Sequence, residues 1–203
     1  MNWGYEALVA GFGTSLLAPY AALPPWSLTG NSADIVRNFL ANLDTDYALR
    51  GDAAVHRTCV VEDGAVLKGP TILGPECFIA AGAYIRGGCW LEGGNTIGPG
   101  CELKSSFLFS GARLAHFNFV GDSIVGHMVN LEAGSVIANY RNETNGAPIR
   151  IRQDGKLIET GATKFGAILG DRTKVGANAV VAPGAILAAD SIVERLALID
   201  QSG

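Results

Sequence analysis

A chain of 203 residues is long enough to bury a core and short enough to be one domain, or one domain with an appendage. With 48% hydrophobic and only 17% charged residues it is not disordered, and a formal net charge of −4 offers no general attraction to nucleic acid or an anionic membrane. No apolar run approaches membrane-spanning length, and the opening MNWGYEALVAGFG lacks the positive n-region of a secretory signal, so a soluble, cytoplasmic protein is expected.

Residues 1–50 show no repeat. Within them ALPPW breaks regular structure, and 32–43, SADIVRNFLANL, reads as a helix. Ser32 is its candidate N-cap, and Ile35, Val36, Phe39, Leu40 and Leu43 form one apolar face.

From residue 55 an apolar residue recurs every six positions: Val55, Val61, Leu67, Leu73, Ile79, Ile85, Leu91, Ile97, Leu103 and Phe109. The period returns at Phe119, Val125, Leu131 and Ile137, and again at Leu169, Val175, Val181, Leu187 and Val193. A helix needs spacings of three and four, and a lone amphipathic strand needs alternation. Period six fits short strands joined by tight corners, each with one inward aliphatic residue, wound into a solenoid. Residues 1–50 are then expected to cover its open first coil, with residues 51–203 forming the solenoid itself.

Two further registers agree. Three places after the aliphatic residue comes glycine, at Gly64, Gly82, Gly88, Gly94, Gly100, Gly134 and Gly184, as a corner with positive φ demands. Four places after it comes a small residue, and all four cysteines (Cys59, Cys77, Cys89 and Cys101) fall in that slot. With no CxxC, they read as compact buried hydrophobes, free of zinc or redox roles.

Eighteen residues per coil place Lys68, Arg86 and Lys104 in one outward column, with strands roughly 4.8 Å apart. Left uncompensated, such a column invites a phosphate. Glu102 also faces outward and can pair with Lys104. Two interruptions follow. One, around 110–118, holds His116. The other, about 141–163, carries PIRIRQDGKLIET, a β-hairpin turning at Asp154-Gly155, whose Arg150, Arg152 and Lys156 offer an anion contact.

The [LIV]-x-x-G-[small]-x pattern over about 53–140 and 165–195 resembles the hexapeptide repeat of left-handed parallel β-helix proteins. That resemblance implies an all-β, three-sided prism, here with a short N-terminal helical cap and an inserted hairpin. It also implies a homotrimer with active sites between subunits.

A more specific resemblance lies in HFNFVGDSIVGHMVNLEAGSVIANY, which is similar to the acetyltransferase domain of bacterial bifunctional N-acetylglucosamine-1-phosphate uridyltransferases. TKFGAILGD resembles that family's NKFKTxIGD segment, and the spacing holds without gaps from Arg86 to Tyr140. The resemblance implies an acetyl-CoA-dependent transfer to an amino-sugar phosphate such as glucosamine 1-phosphate. His116 matches the general base and Glu102 its acidic support. Arg86, Lys104, Asn130 and Lys164 match sugar-side ligands. Ala133, Asn139, Tyr140 and Ala177 match positions near acetyl-CoA.

There are departures. Phe119 replaces a tyrosine, Ala177 replaces a serine, the insertion after Tyr140 is longer, and no uridyltransferase glycine loop is present. The residues themselves suit the chemistry, because a histidine titrating near neutrality can take the amine proton and backbone amides at LEAG can face a thioester oxyanion.

A γ-class carbonic anhydrase shares the fold and uses three histidines. However, His116 and His127 lie eleven apart where that family resembles H-x4-H, and His56 is remote, so no metal is expected. The remaining alternatives are acylation of another acceptor, such as a nucleotide-linked amino sugar, and a non-catalytic scaffold. The scaffold reading predicts loss of the histidine or of the polar cluster, whereas Glu102, Lys104, His116, Asn130, Asn139 and Lys164 are all present. His127, two residues after Val125, reads as an ordinary outer-face or corner residue.

Overall fold

The computed structural model describes residues 3–153 and 155–201. Among them, short parallel strands stack into three faces of seven strands each, and the first face gains an antiparallel strand, Tyr47–Arg50, at its start. Successive coils pair residues eighteen apart, as in Leu73 opposite Leu91 and Ile85 opposite Leu103. The sixfold period therefore becomes a three-faced β-helix, and its aliphatic residues meet along the axis in one continuous core. All seven glycines of the corner register have positive φ, from 63° to 92°. The four cysteines lie in or against this core as free thiols.

The period departs from expectation at two corners. Leu108, not Phe109, pairs with Leu91 and points inward, and Val120, not Phe119, pairs with Leu103. The third face turns into the first after Lys104 and again after Gly121, each time one residue early, with Ser105 and Asp122 at φ 48° and 46° making the short corners. Phe109 and Phe119 are apolar but belong to outward positions. The expected interruption at 110–118 is thus absent. The strand Arg113–Leu114 stays in register, and His116 occupies a regular corner.

The N-terminal segment is helical but lies along the first face instead of over the open end; only Tyr47–Arg50 sits at that end. It contains α1 (Tyr5–Leu8), α2 (Pro25–Gly30) and α3 (Ser32–Leu40). The physical reason is the face itself. Its outward column, including Ile72, Trp90, Phe107, Ile124 and Ile168, is apolar and needs cover.

In α3, Ile35, Val36 and Phe39 are buried as the pattern predicts. Asn31 precedes the helix as its cap position, without a side-chain capping bond, so Ser32 is not the cap. The Ser32 hydroxyl instead donates to the Gly87 carbonyl at 3.2 Å, seating the helix on the corner at Gly88. A Cβ on Gly88 would stand 2.4 Å from the Ala33 nitrogen, so the close approach needs glycine.

The insertion lengthens one coil to 44 residues between the paired Val125 and Leu169. Its strands Arg150–Gln153 and Lys156–Glu159 form the expected hairpin; Asp154, part of the predicted turn, lies outside the described residues. Ile149 and Ile151 are buried beside Phe165 in the same layer as the helices, so the hairpin is docked on the first face. Arg152 donates to the Gln201 carbonyl at 3.1 Å.

Candidate active site

His116 lies at the corner between the second and third faces. A backbone ladder climbs this corner. Phe117 N–H donates to Pro99 O at 3.1 Å, Gly134 N–H to His116 O at 2.9 Å, Asn178 N–H to Ala133 O at 3.0 Å and Leu196 N–H to Ala177 O at 3.0 Å. His116, Ala133 and Ala177 therefore stand above one another on successive coils. The imidazole is exposed, and no side-chain partner holds it among the described residues. Above it stand the two alanines, and beside it the exposed ring of Phe117, whose backbone has φ 51°.

The amides of this corner differ from coil to coil. Ala81 N–H donates to Glu62 at 2.8 Å, and Ala177 N–H donates to Glu132 at 2.9 Å. In both cases a glutamate one residue past the inward-pointing strand residue of the coil below reaches up to the amide. Gly98 and Ala115 occupy the equivalent positions below His116 and Ala133, and neither has an acceptor side chain. The N–H groups of His116 and Ala133 consequently have no partner among the described residues. Arg195 forks onto Glu132 at 2.7 and 2.8 Å and holds its carboxyl below the usual carboxylate range.

The predicted basic column is present on the third face. Arg86 pairs with Lys104 in register, and Lys68 N–H donates to Ile85 O on the adjoining coil. It is not an uncompensated ladder, however. Arg86 binds Glu102, with Nη2 and Nε 2.7 and 2.8 Å from Oε1, and Lys104 Nζ lies 2.8 Å from both oxygens of Asp122. Lys68 lies 5.5 Å from the Tyr84 ring centroid. Glu102 thus chooses Arg86 over Lys104. Within the chain its carboxylate makes no bond to His116, which sits three residues before Phe119, the residue paired with Glu102.

Asn139 donates to the Asp122 carboxylate, and its own carbonyl accepts Phe165 N–H at 3.1 Å. Tyr140 and Lys164 are exposed at the two ends of the insertion. Asn130 faces outward on the second face, between Arg113 and Lys174. It lines a cleft of about 460 Å³ with Glu132, Lys174 and Arg195. The expected residues thus form three groups: the His116 corner, the third face with Asn139, and Asn130 on the second face.

Asp122 was missed in the sequence because only its GD dipeptide stood out. His127 proves to be more than an outer-face residue. Its Nε2 donates to Ala10 O at 2.8 Å, its Nδ1 meets Ser110 Oγ at 2.8 Å, and its ring lies edge-on to Phe109. Asp171 accepts the N–H groups of His127 and Ala10 at 2.8 and 3.0 Å. This histidine fastens the N-terminal layer. Among the described residues no cluster of three His, Cys, Asp or Glu is placed to hold a metal, and no helix is long and apolar enough to cross a membrane.

Fold and site together define a hexapeptide-repeat β-helix with an exposed histidine corner beside an ion-paired face. Several curated proteins are similar to the chain. A bifunctional sugar-1-phosphate nucleotidylyltransferase/acetyltransferase from Sulfurisphaera tokodaii is 29% identical over 71% of this chain and 36% of its own length. The bifunctional protein GlmU of Methanococcus vannielii is 26% identical over 87% of this chain and 43% of its own. That of Carboxydothermus hydrogenoformans is 33% identical over 62% and 27%. The chain therefore spans less than half the length of these relatives. No family model matches it. A solved hexapeptide transferase family protein from Anaplasma phagocytophilum aligns loosely, at 16% identity and a TM-score of 0.37 over 72% of each chain.

Proposed function

We propose that the chain is an acetyl-CoA-dependent N-acetyltransferase whose acceptor is an amino-sugar phosphate such as glucosamine 1-phosphate. The observation that carries this reading is the corner itself: an exposed histidine below two alanines, with two amides on successive coils that have no partner among the described residues. His116 takes the proton from the acceptor nitrogen as that nitrogen bonds to the thioester carbon. The His116 and Ala133 N–H groups face the oxygen that gains negative charge. The carbon–sulfur bond then breaks, and the thiolate leaves with the proton that His116 returns.

Arg86, Lys104 and Lys164 serve the sugar-phosphate side, Asn130 the sugar, and Asn139, Tyr140 and Ala177 the acyl donor. Glu102 orients the base once the site is assembled. The reading includes a homotrimer. The first face is covered, whereas Val60 and Ile192 on the second face and Val66, Val180 and Leu198 on the third are exposed toward the two ends of the prism. It also places residues 51–203 as the catalytic unit, residues 1–50 as its flanking layer, and the protein in the cytoplasm.

The pairing of Arg86 with Glu102 and of Lys104 with Asp122 favours a second acceptor class, nucleotide-linked amino sugars, because neither cation is left free for a terminal phosphate dianion and a diphosphate carries only one charge per phosphate. Thiol release from acetyl-CoA against a panel of amino-sugar phosphates and nucleotide-linked amino sugars tests both. No release with any acceptor would sink the enzymatic reading in favour of a scaffold.

A further inference from the structure

Asp122 joins three segments that the sequence placed separately at the site. Its carboxylate, with a side-chain exposure of only 6%, accepts both bonds from Lys104 Nζ and one from the Asn139 side-chain amide. Its carbonyl accepts Gly166 N–H at 2.9 Å, two residues after Lys164, and its own N–H donates to Lys104 O at 2.8 Å.

The backbone is shaped for this. Asp122 turns the short corner at φ 46°, a region that aspartate tolerates better than most residues. The residue before it is glycine because a Cβ there would stand 2.6 Å from Asn139 Nδ2. Any side chain at 121 would close the path by which the Asn139 amide reaches the carboxylate.

We infer that Asp122 is a positioning residue, which fixes the sugar-side cation Lys104 and the donor-side amide Asn139 in one geometry. This rests on the proposed transferase reading and deepens it. Three consequences follow from the contacts. Lys104 is held in one place by two charge-assisted bonds, so its remaining N–H has a defined direction. Asn139 gives its amide to Asp122, and so turns its side chain toward the third face. The chain leaving Lys164 is tied to the same corner through Gly166. One buried carboxylate thereby couples acceptor binding to donor binding.

The test uses the full chain with glucosamine 1-phosphate and acetyl-CoA, measuring kcat, both KM values and the melting temperature. The variants are Asp122→Asn, Lys104→Met, Asn139→Ala and the double variant Asp122→Asn with Lys104→Met. Asp122→Asn is expected to raise both KM values about tenfold, the scale of a lost charge-assisted bond. Lys104→Met is expected to raise only the acceptor's, and Asn139→Ala only the donor's. In the Lys104→Met background, Asp122→Asn should add nothing to the acceptor KM, because its effect there runs through Lys104.

Both KM values within twofold of the parent, or additive effects in the double variant, would overturn the inference and leave the transferase reading standing. If the parent itself releases no thiol with any acceptor, the reading falls and the inference falls with it. Should Asp122→Asn not fold, Asp122→Glu keeps the charge but displaces the carboxylate, and is read by the same two KM values.

Discussion

Lys104 Nζ lies 2.8 Å from both carboxylate oxygens of Asp122, with side-chain exposures of 16% and 6%. Removing one member of so enclosed a pair leaves the other as a desolvated charge. Lys104→Met is therefore expected to destabilise the fold by about 3 kcal/mol, the lower end for broken buried pairs because Asn139 still donates to Asp122. Replacing both residues, with methionine and leucine, is expected to recover much of that loss. Urea denaturation of the three chains decides it. A loss under about 1 kcal/mol for Lys104→Met would mean the pair is solvated like a surface bridge.

The core of this fold is legible in the sequence because one aliphatic residue per hexad leaves a period that no helix or lone strand produces. What is not legible is where a hexad loses a residue. Phe109 and Phe119 continue the count, yet Leu108 and Val120 point inward, because each neighbouring pair is apolar and pattern alone cannot choose between them. The covering layer did leave a signal: the residue before the inward one on every third strand is apolar, as in Ile72, Trp90 and Phe107, which marks a face buried on both sides. At the site, the basic column follows from the eighteen-residue coil, but the partner of Glu102 does not. Outward residues two apart on one strand reach to different coils, and there Arg86 wins over Lys104.

His116 is exposed, and no described side chain bonds to it, so its removal should cost activity and not stability. His116→Ala is expected to lower kcat about 10²–10⁴-fold, the usual range for a lost general base. Its melting temperature should stay with that of the parent. Thiol-release kinetics beside a thermal melt give both numbers, and unchanged turnover would remove the histidine from the mechanism.

The free amides of the corner are exposed to a more pointed test. Glu62 and Glu132 accept the amides of Ala81 and Ala177 on the coil above, whereas Ala115 offers nothing to Ala133. Ala115→Glu should supply the missing acceptor, engage the Ala133 N–H and deny it to the reaction. Turnover is expected to fall about 10²-fold, as for the loss of one oxyanion donor, with no loss of melting temperature. A variant that is equally stable and equally active would show that this amide takes no part.

His127 should behave in the opposite way to His116. Its Nε2 bond to Ala10 O and its contact with Ser110 hold the N-terminal layer on the first face. His127→Ala is expected to cost about 1–3 kcal/mol, because the Ala10 carbonyl and Ser110 lose their partner. Hydrogen exchange should speed up first in the segment carrying α1. If exchange accelerates evenly along the whole chain, the layer is not a separately fastened unit.

The thiols give the pH prediction. Burial pushes Cys89 from its ordinary 9.0 up to about 12, and burial likewise raises Cys59 to about 12. Cys77 and Cys101 are raised for the same reason. In the unfolded chain these groups lose their protons near the ordinary value, while the folded chain keeps them. The unfolded state therefore binds fewer protons above that value, and folding stability falls as pH rises. The stability held by the protonated thiols is complete below the ordinary 9.0 and is progressively lost toward about 12. Urea midpoints measured from pH 8 upward should decline over this window. Replacing Cys89 with alanine should flatten its share of the slope, at the cost of the packing lost with the sulfur. An identical slope in that variant would show that the Cys89 thiol does not carry the alkaline sensitivity.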